Sequence, residues 1–378
     1  MNKTSNHKIT IGLPLMYHEQ GEKRGFLPDF IYALEKNGAN VFLEHGYGSG
    51  MKLEASAYSD AAPGVTFVSH NDAYQQDFVL ILRCPSDDDL RKLHPGSCLI
   101  SMLHYATRPE RVNLLRSLGL KSISLDSIKN DSGSRMIENF RAVAWNGLEA
   151  AFQTLQDTYP EPGFFSPDRQ AIQITLLGAG ALGAYTVKAA VHYGSIPLHE
   201  KLAQDNVPGV IVTAVDYDIT NHARIMRDLL SKTDILVDAS ARVDSTRPII
   251  PNDWLAYLPA HAVILDLSVD PYQQKLGKNY TKGIEGIPQG NLDKFVLFPD
   301  DPAYEKIPDY VRKENRRNVV SCYSWPGIHP AECMHIYGQQ LRPIMRILLN
   351  QGGLNGINPN GRFFERAIGR ALLSKVGR

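Results

Sequence analysis

Three side chains in the first third of the chain could do proton and carboxylate chemistry: Arg24, Arg83 and His104. Arg83 closes the apolar run Phe78-Val-Leu-Ile-Leu82, and His104 follows the run Cys98-Leu-Ile-Ser-Met102. If these runs are neighbouring parallel strands, both side chains emerge at the same sheet edge. Arg24 stands just before a helix-like stretch that follows the first strand, which puts it at that edge too. A guanidinium captures a carboxylate through two hydrogen bonds, and an imidazole exchanges protons near neutral pH. Together they suit a substrate with one or two carboxylates. Taken singly, His104 also reads as a satisfied core histidine, and the two arginines as solvated surface.

A second constellation follows the run Ile172-Gln-Ile-Thr-Leu-Leu177, which reads as a buried strand. Next come Gly178-Ala-Gly180-Ala181-Leu182-Gly183 and a helix-like stretch, residues 184–191. In this order the glycines have separate tasks: a tight turn at Gly178, close approach of a pyrophosphate at Gly180, and close helix–strand packing at Gly183. The helix N-terminus then offers unpaired N–H groups to phosphate. The expected ligand is NAD. The next strand ends Val212-Thr-Ala-Val-Asp216, and an acid there binds ribose hydroxyls and repels a 2′-phosphate. Asp216 is the first candidate and Asp218 the second. Asp216 lies further from the glycines than the usual ~20 residues, with residues 197–209 reading as an insertion, so an ordinary strand-end turn residue is the competing reading. Ser240 and Asp270 follow two further strand-like runs, 235–238 and 263–267, and are expected to touch the cofactor.

Composition narrows the partners. Lys+Arg and Asp+Glu are equal at 40 each, which removes the bulk electrostatic case for nucleic acid or an anionic membrane. No apolar run reaches the ~18 residues a membrane span needs. The N-terminal residues lack a leader's apolar stretch, so a cytoplasmic location is expected. The four cysteines, Cys84, Cys98, Cys322 and Cys333, show no metal-ligand spacing and read as reduced thiols. No metal is expected. GxSxG, HExxH and a P-loop lysine are absent, so acyl transfer, zinc hydrolysis and phosphoryl transfer have no support.

Strand-like and helix-like stretches alternate through residues 8–125 and again from 170, the pattern of parallel sheets covered by helices. The expected fold is α/β: two Rossmann-like, doubly wound domains with an inter-domain cleft, linked by two long helices over 135–158 and 331–349. The first domain takes residues 1–150 and 327–378, and the dinucleotide domain 151–326. The basic tail, 362–378, reads as a solvated helix packed on its own domain. A homo-oligomer is left open.

These residues resemble a known family. Ile11-Gly-Leu-Pro14 with Lys23-Arg24-Gly-Phe-Leu-Pro28, the strand ending in Arg83, the strand leading to His104, and Val263-Ile-Leu-Asp266-Leu-Ser-Val-Asp270 are similar to segments of the alanine dehydrogenase and saccharopine dehydrogenase superfamily, with transhydrogenase α-subunits as cousins. Two stretches lean toward saccharopine dehydrogenase: Lys129-Asn-Asp-Ser-Gly-Ser-Arg135 with the helix after it, and His329-Pro-Ala-Glu332. The resemblance implies that Arg24 binds a substrate carboxylate, that His104 acts in acid–base catalysis, and that Arg135 lies near cofactor or substrate. It implies hydride exchange between nicotinamide and the α-carbon of an amino acid through an imine. Where the family has a lysine, this chain has Arg83, which binds carboxylate but cannot shed its proton. Tyr323 and Trp325 are expected to fill space in a substrate pocket and to disfavour alanine. The leading expectation is an NAD-dependent oxidoreductase acting on a saccharopine- or opine-like secondary amine, with amino acid and 2-oxo acid partners. The alternatives are oxidative deamination of a free amino acid and a silent NAD-binding sensor.

Overall fold

The computed structural model describes residues 8–17, 19–242, 244–275 and 277–377. The N-terminal segment that carried the expectation of no leader lies, up to residue 7, outside the described residues, as does the last residue of the tail. The chain forms two compact units, residues 1–139 with 329–378, and residues 140–328.

The first unit is built on six parallel strands: β1 (Thr10–Leu13), β2 (Asn40–Glu44), β3 (Thr66–Val68), β4 (Phe78–Arg83), β5 (Cys98–Met102) and β6 (Lys121–Ser124). Their order across the sheet is β3-β2-β1-β4-β5-β6. The central strands are apolar throughout because helices cover both faces. Helices Pro28–Lys36 and Pro330–Asn350 contribute Phe30, Ile31, Leu34, Tyr337, Leu341 and Ile344 to one core cluster. On the other face, Leu90, Val112 and Leu115 pack on Val79, Ile81 and Leu99. Strand order reverses between β1 and β4, and the crevice at such a reversal is where open α/β sheets bind ligands, outside the carboxyl ends of the strands.

The second unit holds β7 (Ile172–Leu177), β8 (Val210–Val215), β9 (Ile235–Asp238), β10 (Val263–Asp266), a short hairpin of β11 (Gln273–Lys275) and β12 (Lys278–Tyr280), then β13 (Val296–Leu297) and β14 (Asn318–Ser321). The main sheet runs β13-β14-β10-β9-β7-β8, parallel except for β13. Its reversal point falls between β7 and β9. The helix Phe140–Thr158 lies wholly within this unit, so the expected division at 150 falls inside a continuous helix. Gly147 explains the close packing: a Cβ there would meet Leu267 Cδ2 at 2.5 Å. The sequence misses β3, β11, β12, β13 and β14, and places the start of the linking helix at 135 instead of 140. Among the described residues no helix is long and apolar enough to cross a membrane. All four cysteines are buried, and none is in a disulfide.

β1 and the short helix His70–Tyr74 meet without room for a side chain at Gly12, whose Cβ would stand 1.8 Å from the Ala73 carbonyl oxygen. Gly12→Ala should therefore destabilise the first unit by about 2 kcal/mol or more. Urea denaturation checks this, with a lower midpoint at an unchanged slope.

Candidate functional site

Four polar segments stand at the carboxyl edge of the first sheet, each because a strand ends there. β4 and β5 are parallel neighbours, with Arg83 in register with Met102, so Arg83 and His104 do emerge together. His104 adopts a left-handed backbone, φ 50°, uncommon for a residue with a Cβ. Asp126, just past β6, holds it there. Its Oδ1 accepts the N–H groups of Leu103 (3.1 Å) and His104 (3.0 Å) and the Ser124 hydroxyl (2.6 Å). Asp126 Oδ2 lies 3.6 Å from His104 Nδ1, an ion-pair distance. Burial alone would raise the Asp126 carboxyl, but His104, Ser124 and Arg135 together hold it below the usual carboxylate range. Loss of water pushes the His104 imidazole below its ordinary value; Asp126 opposes this, and the guanidiniums of Arg135, Arg83 and Arg111 push it down further. The ring is 45% exposed, so a ligand can reach it. Arg135 is itself exposed and close enough to act on both members of this pair.

Arg24 stands at the same edge, but its guanidinium is not offered to a ligand. It is buried, closed on Glu22 through Nε (2.9 Å) and Nη2 (2.5 Å), with Nη1 3.8 Å from Cys333 Sγ. This corrects the expectation that Arg24 captures a substrate carboxylate: a ligand would have to displace an internal carboxylate whose side chain is 2% exposed. Burial would raise Glu22, and Arg24 overrides it, holding the carboxyl below its ordinary value. Arg83 is ion-paired to Glu19, yet remains a third exposed. No sequence periodicity pointed to Glu19, Glu22 or Asp126. The available signal was an acid within a few residues of each strand end that carries a base.

In the second unit the glycine loop has the geometry its sequence implies. Gly178 has φ 95°, and a Cβ there would meet Ser240 Cα at 2.8 Å. A Cβ at Gly183 would meet the Gly178 carbonyl oxygen at 2.3 Å. At Gly180 a Cβ would meet nothing within 4 Å, so the space in front of the loop is open. Gly180 caps the helix Ala181–Ala190, whose first residues, Ala181 and Leu182, present backbone N–H groups to that space. This loop fits a pyrophosphate. β8 lies beside β7 in register, and Asp216 follows it directly, its carboxylate accepting the Tyr217 N–H at 2.8 Å. The long interval from the glycines is filled by an extra helix, Ile196–Gln204. Asp218 sits on the exposed turn Tyr217–Thr220.

Ser240 and Asp270 reach the same edge already engaged. Ser240 directs both its N–H (3.0 Å) and its hydroxyl (2.6 Å) to Asp238. Asp270 accepts from Arg242 Nε (3.2 Å) and Nη2 (2.6 Å). Beneath them lies a buried network the sequence did not reveal. Asp238 and Asp266 stand side by side on β9 and β10, and Lys282 Nζ reaches Asp266 Oδ2 at 2.7 Å and Gln289 Oε1 at 2.7 Å. Burial, then repulsion from Asp266, raises the Asp238 carboxyl above its ordinary value. Trp325 also departs from expectation. It is buried in this unit's core, donating from Nε1 to the Asp266 carbonyl oxygen at 2.8 Å, and so fills no substrate pocket. Its bulk therefore does not count against alanine. Among the described residues no His/Cys/Asp/Glu cluster could hold a metal ion.

A sheet reversal carrying an acid–base pair in one unit and a dinucleotide cradle in the other define a two-unit α/β fold of Rossmann type. Residues 18–144 match the family model for the alanine dehydrogenase/PNT N-terminal domain. The chain is similar to alanine dehydrogenase from Bacillus subtilis, 22% identical over 273 residues, which cover 69% of this chain and 71% of that protein. It is similar to NAD(P) transhydrogenase subunit alpha from Haemophilus influenzae, 20% identical over 367 residues, 92% of this chain and 68% of that one. Among solved structures, an L-alanine dehydrogenase superposes with a TM-score of 0.70 at 18% identity, covering 96% of this chain and 94% of the other. A transhydrogenase from Sinorhizobium meliloti gives 0.60 at 17% identity, covering 90% and 95%. The lean toward saccharopine dehydrogenase finds no support in these likenesses.

Two outcomes follow. Asp126→Asn removes the charge that raises the His104 pKa, so the acid limb of the kcat/KM profile should move to lower pH, and kcat should fall by about tenfold as the ring loses its anchor. Asp216→Ala should narrow the preference for NAD over NADP by about tenfold in kcat/KM, measured with both cofactors; an unchanged ratio would move the ribose contact elsewhere.

Proposed function

We propose that this chain is an NAD-dependent dehydrogenase that oxidises the C–N bond of a free α-amino acid to the 2-oxo acid and ammonia. The observation that carries this reading is His104, exposed at a strand end, oriented by Asp126, and surrounded by Arg83, Arg111 and Arg135. Relatives named alanine dehydrogenase favour this reading over the secondary-amine one. Gly178, Gly180, Ala181, Leu182 and Gly183 would hold the pyrophosphate of NAD, and Asp216 the adenine ribose. Bound NAD supplies the hydride acceptor.

The remaining work falls to the chain's own side chains. Arg83 binds the α-carboxylate and fixes the substrate's orientation. With Nδ1 turned to Asp126, His104 Nε2 faces outward and takes the proton that the amino group must lose. Its lowered pKa keeps it unprotonated near neutral pH, as a base requires. On return of water to the imine carbon, the same nitrogen serves as proton donor and acceptor in turn. Arg83 takes no part in proton transfer, because a guanidinium stays charged throughout.

NADH absorbance separates these readings. Oxidation of an amino acid with NAD, and reduction of its 2-oxo acid only with ammonia present, supports deamination. Reduction only with a second amino acid in place of ammonia supports the secondary-amine reading. Cofactor binding without turnover in any combination identifies a silent sensor. His104→Ala should lower kcat by about a hundredfold or more, with NAD affinity unchanged by calorimetry.

A further inference from the structure

Glu19 is a carboxylate that the chemistry above does not use. It stands in the segment after β1, at the strand-order reversal of the first unit, ion-paired through Oε1 to Arg83. Its other oxygen, Oε2, is buried and has no hydrogen-bond partner among the described residues. Leaving a buried carboxylate oxygen without a donor is costly, and such a group calls for a ligand or a function. Burial raises this carboxyl above its ordinary value although Arg83 and Arg24 pull against it. Beside it lies an open hollow lined by Glu19 and Arg83, by the acids Glu22 and Asp89, and by the apolar side chains of Leu15, Met16 and Ile81.

We infer that Glu19 and Arg83 together form a zwitterion site, in which Glu19 Oε2 accepts the α-ammonium and Arg83 donates to the α-carboxylate of an amino acid with an apolar side chain. This rests on the amino-acid reading above and names its substrate class. The charges favour it. Arg83 and Glu19 neutralise one another, so the site gains nothing from a plain anion or a plain cation that it does not lose elsewhere. A zwitterion satisfies both members and leaves the balance unchanged. The other nearby carboxylates are occupied: both oxygens of Glu22 serve Arg24, and Asp89 serves His70 and Lys92. Leu15, Met16 and Ile81 leave the side chain an apolar wall.

The test is calorimetric titration of the full chain with NADH present, where an amino acid binds without being oxidised. The probes are L-alanine against propionate and L-leucine against isocaproate, each pair differing in the ammonium group. The wild type should bind the amino acid about tenfold or more tightly than its des-amino partner in at least one pair. Glu19→Gln should erase that preference and bind the des-amino acid more tightly than the wild type does, because Arg83 has lost its internal carboxylate. A merely structural role for Glu19 would not strengthen one ligand while weakening the other. If Glu19→Gln does not fold, Glu19→Asp carries the test: its shorter reach should weaken the amino acid several-fold and leave the des-amino acid unchanged. An intact preference in these variants overturns the inference, as does a wild type with no preference in either pair. A wild type that prefers the zwitterion yet oxidises no amino acid supports the subsite and removes the dehydrogenase reading.

Discussion

Parallel pairing is the constraint on which both sites depend. Each strand of the two main sheets, β13 aside, points the same way as its neighbours, so each must be followed by a return across a face of the sheet. The residues just past the carboxyl ends are thereby gathered along one edge, whatever their distance in sequence. In the first unit that edge collects Glu19, Glu22 and Arg24 after β1, Arg83 after β4, His104 after β5 and Asp126 after β6. In the second it collects the glycine loop after β7, Asp216 after β8, Ser240 after β9 and Asp270 after β10. No single strand is unusual. Chemistry accumulates because the buried strands are too apolar to carry it and the opposite edge serves for entry to each strand.

Charge placed at such an edge is partly buried, and this chain answers it with internal counter-ions. Arg24 closes on Glu22, Arg242 on Asp270, and Lys282 on Asp266. Such pairs contribute little net stability compared with apolar packing, but breaking one leaves a buried charge that is strongly destabilising. They therefore act as fixed struts. Side chains that look available in the sequence are committed in the fold, and the basic groups of this edge that stay partly exposed include His104, Arg83 and Arg135.

What could be read from the sequence follows the same division. Long apolar runs ending in a base, as at residues 78–83 and 98–104, announce both a strand and its functional end, because burial on two faces allows no other pattern. The glycine loop was legible for the reason that each glycine answers a separate steric demand, at Ser240 Cα, in open space and at the Gly178 carbonyl. Pairings were not legible. Nothing in the local pattern says that Glu22 takes Arg24 from solvent, that Arg242 finds Asp270, or that Trp325 turns into the core to reach Asp266. β13 escaped notice because it is two residues long, and a run so short has no period. The linking helix appeared to begin at Arg135 because few breakers interrupt the stretch from there to residue 158; Arg135 instead forms a bridge with Lys129, and the helix starts only at Phe140.

Arginine at residue 83, where the resemblance read from the sequence implies a lysine, ties these points together. A lysine placed in a partly dry site can lose its proton and become neutral, so it tolerates burial without a partner and can move a proton. Arginine can do neither. Its charge persists at every working pH, which demands a permanent counter-charge, and Glu19 supplies one across the segment after β1. In the proposed reaction proton transfer then falls to His104, and the same guanidinium helps to lower that imidazole's pKa, holding it in the basic form. Arginine at this position thus requires an acid beside it and favours a neutral imidazole one strand away, and both are present.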